Sequence, residues 1–406
     1  MTPKINFFYY KINIMIKKKI FVIGGDGFCG WPISLKLSKE DNEVTILDNL
    51  SRRNIDNELG TNSLTNISTI EERIETWESK TGKKINFYNI NVAKEFDRLV
   101  NLLKEHSPDT IIHLGEQRAA PYSMKSSKTK RYTVDNNLNA THNILAAIVE
   151  SKKDIHLVHM GTMGVYGYGA VPDTIIPEGY IDIKMKNSSG DFMDTKILHP
   201  AYPGSIYHMT KTQDALFFQF YAKNYKIRIT DLHQGIIWGL HTDETKLDEK
   251  LVNRFDYDSD YGTCLNRFIM QSAYDIPLTI YGTGGQTRAF IHIKDSAQCV
   301  NIAVNNPPSS GEPVKIFNQM TETHNLLYLA DVIKKVNPDT KVEFCDNPRN
   351  ELVKNDLVVS NKQFLDLGLK PIYLDEEHIK EIFDSIKSNK NRVNMKFIKP
   401  MSFWKN

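Results

Sequence analysis

The pair Tyr207 and Lys211 offers the most direct chemistry in this sequence of 406 residues. The two stand four positions apart in the run YHMTK, at the start of an amphipathic stretch, so on a helix they share one face. Tyrosine has an ordinary pKa of about 10, but a neighbouring ammonium favours the phenolate. The pair is suited to removing a proton from a substrate hydroxyl; the alternative is an incidental tyrosine and lysine on a surface helix.

A third candidate is Thr162, which follows the apolar run HLVHMG. Such a run is typical of a buried strand, and a hydroxyl at its carboxyl end projects where parallel sheets bind their ligands. We therefore predict that Thr162, Tyr207 and Lys211 form one catalytic group.

Three glycines, Gly24, Gly27 and Gly30, separate an apolar run from a helical stretch in IGGDGFCG, and Asp48 ends the next apolar run. Glycine spacing alone is weak evidence. Strand, glycines, helix and acid together form the fingerprint of a dinucleotide site, where backbone approaches the pyrophosphate and the acid accepts ribose hydroxyls. The alternative is that the glycines serve only a tight turn.

The acid also bears on which dinucleotide binds. Asp48 would repel the 2′-phosphate of NADP, so the sequence favours NAD. Arg52 and Arg53 follow closely and offer charge to neutralise that phosphate, which leaves NADP as the alternative. In either case we expect Tyr207 and Lys211 at the nicotinamide end.

These residues need a scaffold that gathers strand ends. Short apolar runs alternate with helix-length segments, which predicts an α/β fold with a doubly wound parallel Rossmann sheet. The predicted strands are KIFVIGG, EVTILD, INFYNIN, TIIHLG, HLVHMG and IRITDLHQG. The predicted covering helices are Trp31 to Lys39, Phe96 to His106, Asn137 to Ser151 and Tyr207 to Asn224.

The regular alternation fades after Leu240, where HTDETKLDEKLVNRFDYDSDYG is expected to form a polar lid. A smaller C-terminal substrate domain is therefore predicted to interleave with the first domain. We assign 1–18 to an N-terminal tail starting at Met1 or Met15, 19–235 and 287–320 to the NAD-binding Rossmann domain, and 236–286 and 321–400 to the substrate domain.

Composition excludes several other classes of protein. With 51 Lys and Arg against 49 Asp and Glu, a net charge of +2 gives no bulk attraction for nucleic acid or an anionic membrane. The four cysteines lie far apart with no C-x-x-C pair, which argues against zinc and against a dense disulfide framework. No stretch approaches the roughly 20 apolar residues of a membrane span. We expect a cytoplasmic protein with no metal, nucleic-acid or membrane partner.

Together these residues resemble the extended short-chain dehydrogenase/reductase family of NAD-dependent epimerases and dehydratases. The resemblance implies bound NAD, a UDP-sugar substrate and a homodimer. It places Asn137, in DNNLNATHNIL, between the active-site lysine and the backbone. It also places Arg288, in GGQTRAF, and Arg349, in NPRNE, on the substrate diphosphate, which a guanidinium pairs bidentately.

Longer stretches are similar to the branch of that family that makes UDP-sulfoquinovose from UDP-glucose and sulfite. They are GGDGFCGWP, DNLSRR, GEQRAAPYSM, YHMTK, QGIIWGLHTDET, RFDYDSDYGTCLNRF, GGQTRAF, FNQMTE and NPRNE. The resemblance implies oxidation at C4, loss of water to a 4-keto-5-ene, addition of sulfite and reduction at C4.

Within this resemblance four further residues have roles. His208 is assigned to proton transfer, because the ordinary pKa of imidazole suits shuttling, and Arg118 to sulfite. Gln117 and Asn266 are assigned to substrate binding. Alternatively, Gln117 and Arg118 hold glucosyl hydroxyls or only their own loop, and His208 only packs at the helix start.

The sequence also departs from related enzymes. Dehydratases that act at C4 and C6 carry an Asp-Glu pair after the active-site threonine, whereas this chain has Met163 and Gly164, which disfavours a plain dehydratase. Val165 stands where the branch has glutamate, and the segment between Tyr166 and Tyr207 is longer than expected. The alternative enzyme is a UDP-hexose 4-epimerase or atypical dehydratase. A non-catalytic nucleotide-binding subunit is disfavoured because the catalytic group is complete.

Overall fold

The structure, a computed structural model, describes residues 17–167, 175–199, 202–347 and 357–398. Its strands are β1 (Lys19–Ile23), β2 (Glu43–Asp48), β3 (Ile85–Asn89), β4 (Thr110–His113), β5 (His156–Met160), β6 (Ile175–Ile176), β7 (Tyr180–Lys186), β8 (Phe192–Leu198), β9 (Arg228–Gln234), β10 (Ile236–Trp238), β11 (Leu278–Tyr281), β12 (Thr287–His292), β13 (Lys315–Gln319), β14 (Glu322–Asn325), β15 (Val342–Cys345) and β16 (Val358–Val359). Its α-helices are α1 (Gly30–Lys39), α2 (Ser51–Leu59), α3 (Ile70–Thr81), α4 (Phe96–His106), α5 (Ala120–Met124), α6 (Ser127–Ser151), α7 (Ile206–Tyr225), α8 (Cys264–Ala273), α9 (Ile293–Asn305), α10 (Leu326–Val336), α11 (Lys362–Asp366) and α12 (Glu376–Ser388).

Seven parallel strands form the main sheet, in the order β13-β9-β5-β4-β1-β2-β3. The chain order reverses between β1 and β4, and the carboxyl ends of strands at such a point open a ligand-binding crevice. The prediction of an α/β fold with a doubly wound parallel sheet is confirmed.

Helices cover both faces of this sheet, which explains why its central strands are almost continuously buried. One buried cluster joins β1 and β2 to α1 and α9, and the other joins β4 and β5 to α4, α6 and α7. The first turns of α1 and α7 therefore lie next to the strand ends that carry the predicted site.

A second group of strands follows β9. β10, β12 and β14 form a three-stranded sheet, and β11 pairs with β15. Their core, built on Trp238, Phe268 and Phe290, also receives α8, α10 and α12. β12, which begins at the predicted boundary of residue 287, pairs with β10 and β14. The domain boundaries otherwise remain a prediction.

The segment expected to be a polar lid is instead largely buried. Arg254, Asp256 and Asp258 are each less than 5 % exposed. Arg254 donates to Asp256 at 3.1 Å and to Asp56 of α2 at 2.5 Å. These charges stay buried because each one has an opposite partner, which sequence composition alone does not reveal.

The long segment before Tyr207 contains an antiparallel hairpin, β7 with β8, which pairs Tyr180 with Leu198 and Lys186 with Phe192. Most of its side chains are exposed. No helix among the described residues is long and apolar enough to cross a membrane.

Candidate active site

The glycine-rich turn joins β1 to α1. Gly24 has a φ of +84°, and a Cβ there would lie 2.7 Å from the backbone of Leu114. A Cβ on Gly30 would lie 2.0 Å from the carbonyl oxygen of Gly24. A Cβ on Gly27 would approach only that oxygen, at 3.2 Å, and Gly27 lines a cleft beside α1. Folding thus requires Gly24 and Gly30, whereas Gly27 keeps the cleft open.

Asp48 ends β2 and lines the same cleft. Its carboxylate accepts the backbone N–H of Asp26 at 2.9 Å and that of Leu50 at 2.7 Å. Burial, together with the Asp26 carboxylate, raises the pKa of Asp48 to about 6. The group is therefore an anion at neutral pH and loses that charge in mild acid.

The two arginines that follow are already paired. Arg53 donates to Asp26 at 2.6 and 2.8 Å. Arg52 donates to Asp56 at 2.5 Å and to Asp256 at 3.0 Å. Carboxylates thus neutralise both guanidinium groups, which argues against their binding a 2′-phosphate.

The first turn of α7 presents two predicted site residues. Ser205 caps the helix by accepting the N–H of His208 at 3.1 Å, which sets Tyr207 and His208 in that turn. Tyr207 and Thr162 line the same cavity, and the Thr162 side chain acts to lower the pKa of Tyr207. Thr162 lies two residues beyond β5, and its Oγ1 accepts the N–H of Gly164 at 3.1 Å. The structure therefore brings Thr162 and Tyr207 together.

The acidity of Tyr207 differs from the sequence expectation. Burial raises its pKa, and the opposing effect of the Lys211 ammonium is smaller. The side chains of the protein alone therefore leave Tyr207 as a phenol at neutral pH. Further positive charge at the site is needed to make it a base.

Lys211 is held from three directions. Its Nζ donates to the carbonyl oxygen of Met160 at 2.7 Å, lies 2.9 Å from Glu116 Oε2 and lies 3.0 Å from His159 Nε2. Burial lowers the pKa of Lys211, but Glu116 and Tyr207 outweigh it and the net shift is upward. Lys211 is thus an ammonium ion.

Asn137 does not make the link to the lysine that the sequence predicted. Its amide accepts the backbone N–H of Gln117 at 2.8 Å and donates to the carbonyl oxygen of Gln117 at 3.0 Å and to Thr210 at 3.1 Å. Glu116 and His159 occupy the positions around Lys211 instead. Asn137 therefore shapes the loop after β4.

That loop carries Gln117 and Arg118. The Gln117 amide donates to the Ala119 carbonyl and to Thr133, both at 3.0 Å, so its polar atoms serve the loop. Arg118 donates to Asp256 at 2.5 Å. Its side chain lines both the cleft and a larger cavity.

The His208 ring packs directly against Gly164. A Cβ on Gly164 would lie 2.2 Å from Cδ2 of the His208 ring, so the ring fills the space that any side chain at position 164 would need. Val165, at the position of the expected glutamate, packs with Met163 in a buried apolar cluster. The imidazole is therefore the titratable group nearest Tyr207 on this side, with the ring centroids 5.3 Å apart.

The larger cavity, of about 970 Å³, meets the cleft at Tyr207 and Arg118. Arg267 and Arg288 line it as well and give it positive charge. Together the two spaces provide a nucleotide cleft and a separate chamber for an anionic substrate, with Tyr207 between them.

Two predicted substrate residues lie elsewhere. Asn266 does not line the cavity: it is buried and donates to the carbonyl oxygen of Asp256 at 3.2 Å, while its neighbour Arg267 faces the cavity. Arg349 lies outside the described residues.

The model of the NAD dependent epimerase/dehydratase family matches residues 20–318. The chain belongs to this family. A chloroplastic UDP-sulfoquinovose synthase of Spinacia oleracea is 41% identical over 397 residues, or 97% of this chain and 80% of that protein. A UDP-sulfoquinovose synthase of Sulfolobus acidocaldarius is 34% identical over 381 residues, or 92% of this chain and 94% of that protein.

The fold of this epimerase/dehydratase family member also resembles solved structures. The UDP-glucose 4-epimerase of Thermotoga maritima, solved with UDP-glucose, aligns with a TM-score of 0.68 at 17% identity. The alignment covers 92% of this chain and 99% of that chain. At this identity the likeness shows the shared fold.

The cleft fits the cofactor of the epimerase/dehydratase family. The backbone of Gly27 lines the cleft, and a side chain at this position would project into it. Asp48 lines the far side of the cleft. Tyr207 and Lys211 line the opposite end. These residues suit an NAD molecule that extends along the carboxyl ends of the strands, with its nicotinamide beside Tyr207.

NAD should bind more tightly than NADP, because the Asp48 anion accepts ribose hydroxyls and repels a 2′-phosphate. The affinity for NAD should fall as the pH drops through about 6, the pKa of Asp48. Calorimetry at neutral and mildly acidic pH measures both effects. Equal or tighter binding of NADP would refute this role of Asp48.

Sequence reasoning missed Glu116, His159 and Arg267. Glu116 stands in the quoted run GEQR, directly before Gln117, but no spacing rule connects it to Lys211. His159 reads as one residue of an apolar strand. A polar residue inside such a strand was the available signal, because a buried imidazole needs partners.

Proposed function

We propose that this protein converts UDP-glucose and sulfite to UDP-sulfoquinovose, with NAD as a recycled cofactor. One observation carries the proposal: the His208 ring occupies the space beside Thr162 that the acidic side chain of a plain dehydratase would need. The two UDP-sulfoquinovose synthases that match most of the chain support the same substrate class.

Oxidation at C4 uses the group around Tyr207. Tyr207 removes the proton of the C4 hydroxyl, Thr162 holds that hydroxyl by a hydrogen bond, and the Lys211 ammonium stabilises the phenolate. NAD, held by the residues that line the cleft, would supply a reversible hydride acceptor for C4, so the net redox change of the reaction would be zero.

Loss of water is the task of His208. A ketone at C4 acidifies the proton at C5, and departure of the C6 hydroxyl leaves a double bond between C5 and C6. His208, next to Tyr207, passes the C5 proton to the leaving hydroxyl. The products of this step are the 4-keto-5-ene and one water.

Sulfite then adds at C6. Its sulfur lone pair forms the C–S bond, the C5–C6 π electrons move toward the ketone, and C5 takes up a proton. Arg118 is the group proposed to hold the oxyanion, because its guanidinium lines both spaces where they meet. Arg288, Arg267 and Arg349 are proposed to bind the diphosphate.

His208→Ala should still oxidise C4 but slow water loss about 100-fold, because the proton-transfer group is missing. The measurement is reduced-cofactor absorbance with UDP-glucose, together with exchange of H5 for solvent deuterium. Arg118→Ala should retain H5 exchange and raise the sulfite KM about tenfold, because only the anion contact is lost. His142→Ala and Arg98→Ala, at exposed positions, are the matched controls.

A different result would favour the epimerase alternative. If the wild type interconverts UDP-glucose and UDP-galactose, with no H5 exchange and no response to sulfite, the proposed sulfonation is wrong. Product analysis with and without sulfite separates the two reactions.

We also propose a homodimer that works in the cytoplasm. Met209, Leu216 and Phe220 lie on one face of α7 with large apolar surfaces exposed, which suits helix packing against a second copy. Among the described residues the four cysteines form no disulfide, which fits a reducing compartment.

A further inference from the structure

A buried line of polar side chains runs from Lys211 into the main sheet. His159 Nε2 lies 3.0 Å from Lys211 Nζ, and His159 Nδ1 lies 2.8 Å from Asp231 Oδ1. Asp231 Oδ2 lies 3.0 Å from His233 Nε2, and His233 Nδ1 lies 2.6 Å from the hydroxyl of Tyr166. All five residues are less than 5 % exposed, so water cannot replace these contacts.

Sheet register builds this line. His113 of β4, His159 of β5 and Asp231 of β9 are direct partners on three adjacent parallel strands. His233 follows Asp231 at the two-residue period of a strand, so both point to the same face. Helix α7 places Lys211 against the same face of the sheet.

Hydrogen-bond chemistry restricts the state of His159. Burial alone would raise the pKa of Asp231, but His233 and His159 outweigh burial and hold it well below its usual range. An ionised Asp231 accepts a hydrogen bond from Nδ1–H, so in the neutral ring Nε2 is left as an acceptor for the Lys211 ammonium. If Nε2 is protonated too, it donates to Glu116 Oε1, 3.1 Å away, and can no longer accept from Lys211.

The surrounding charges face His159 from every packed element. Glu116 and His113 face it from the β4 side, and burial lowers the pKa of His113 to about 4. Helix α7 contributes the Lys211 ammonium and Asp214. The Asp214 carboxylate lies 3.7 Å from His159 Nε2, and burial raises the pKa of Asp214 well above its usual value. From β9 come Asp231 and, beyond it, His233.

Burial and three of these charges act in opposite directions on the pKa of His159. Burial and the Lys211 ammonium lower the pKa of His159, but Asp231 and Glu116 outweigh them and the net shift is upward. The ring therefore changes its charge at a pH above the ordinary imidazole value, within reach of experiment.

Three residues beside Lys211 form a cluster with the spacing of a metal site. The ligand atoms of His113, Glu116 and His159 lie within 4.8 Å of one another. The Lys211 ammonium, however, is 2.9 Å from Glu116 and 3.0 Å from His159. A second cation there would face strong repulsion, so the lysine is the cation that this cluster holds.

We propose that His159 is a positioning residue for Lys211. In its neutral form the ring donates to Asp231 and accepts from Lys211, which fixes the ammonium beside Tyr207. Protonation of the ring removes the acceptor and places a second positive charge against the ammonium. The rate of hydride transfer therefore falls as the pH drops through the pKa of His159. This inference rests on the oxidation step of the proposed function and not on sulfite.

His159→Gln should lower kcat for C4 oxidation by about 10- to 100-fold, the cost of misplacing a catalytic group, with little change in the KM for UDP-glucose. The part of the acidic limb that reflects His159 should disappear, because the titrating ring is gone, whereas the rise with pH that reflects Tyr207 should remain. The matched control is His156→Gln: His156 lies on the same strand, is equally buried, and contacts Thr230 at 2.8 Å. That variant should keep the wild-type rate and pH profile.

A second readout needs no turnover. In spectra of ¹⁵N-histidine-labelled wild type at alkaline pH, His159 should show the neutral Nδ1–H tautomer. Its signal is assigned by contact with the Phe218 ring, whose centroid lies 4.7 Å away. An Nε2–H tautomer would overturn the inference even if His159→Gln fails to fold.

The two failures are distinguishable. A wild type that does not reduce NAD with UDP-glucose overturns the proposed function, while the tautomer still tests the contact with Asp231. A His159→Gln enzyme with wild-type kcat and an unchanged acidic limb overturns the role of His159 alone.

Discussion

Tyr207→Phe should slow hydride transfer from UDP-glucose by about 100- to 10,000-fold, the range expected when a general base is removed. The phenyl ring keeps the packing of the first turn of α7 but loses the hydroxyl that is proposed to remove the proton. Single-turnover formation of reduced cofactor measures the step directly. In the wild type this rate should rise with pH, because burial raises the pKa of Tyr207 and only its deprotonated form accepts the proton.

Tyr221→Phe is the control for this prediction. Tyr221 lies on the same helix, and its hydroxyl is 3.2 Å from His142 Nε2, away from the cavity. Its removal should leave hydride transfer unchanged. Wild-type turnover in Tyr207→Phe would exclude the proposed oxidation step, and a loss of UDP-glucose affinity at unchanged rate would assign Tyr207 to binding.

Gly30→Ala should lower the free energy of unfolding by about 3 kcal/mol or more, because the new methyl group collides with backbone rather than with a movable side chain. A Cβ at position 30 would lie 2.0 Å from the Gly24 carbonyl oxygen, so α1 must shift away from β1. Denaturant unfolding followed by circular dichroism gives the change in stability. NAD binding should be lost as well, since the turn that faces the cofactor moves with α1.

Gly27→Ala separates folding from binding at the same turn. Its Cβ would lie 3.2 Å from the Gly24 oxygen, so stability should stay close to that of the wild type. The methyl group enters the cleft, however, and the affinity for NAD should fall. If Gly30→Ala unfolds like the wild type, the close contact between α1 and β1 is not a constraint on folding.

The α/β architecture followed from the alternation of apolar runs and helical stretches, since period and length are local properties of the chain. The residues at which helices and strands begin and end were harder to predict from the sequence. Helix α6 begins at Ser127 rather than at Asn137, because Ser126 and Thr129 form a reciprocal cap before a polar first half that carries little apolar periodicity. Helices α2 and α3 were not predicted at all.

Within the site, residues joined by short spacing were accessible from the sequence. Gly24, Gly27 and Gly30 lie within one turn, and Tyr207 and Lys211 are one helical turn apart, so their geometry depends only on local backbone. Such motifs predict chemistry without knowledge of the fold.

Contacts between distant segments were decided by the tertiary structure. Gly164 leaves space for His208, 44 positions later, and the pairing of Arg118 with Asp256 spans 138 positions. No local rule connects such pairs, because the space and the partner exist only after the elements pack.

The surroundings of Lys211 show most clearly which features follow from local spacing and which depend on the tertiary structure. The sequence by itself determined that Lys211 stands one turn after Tyr207. Only the order of the sheet, which sets β4, β5 and β9 side by side, brings Glu116, His159 and Asp231 to that lysine. Their charges tolerate burial because each faces an opposite charge or a hydrogen-bond partner, and that balance exists only once the strands are paired.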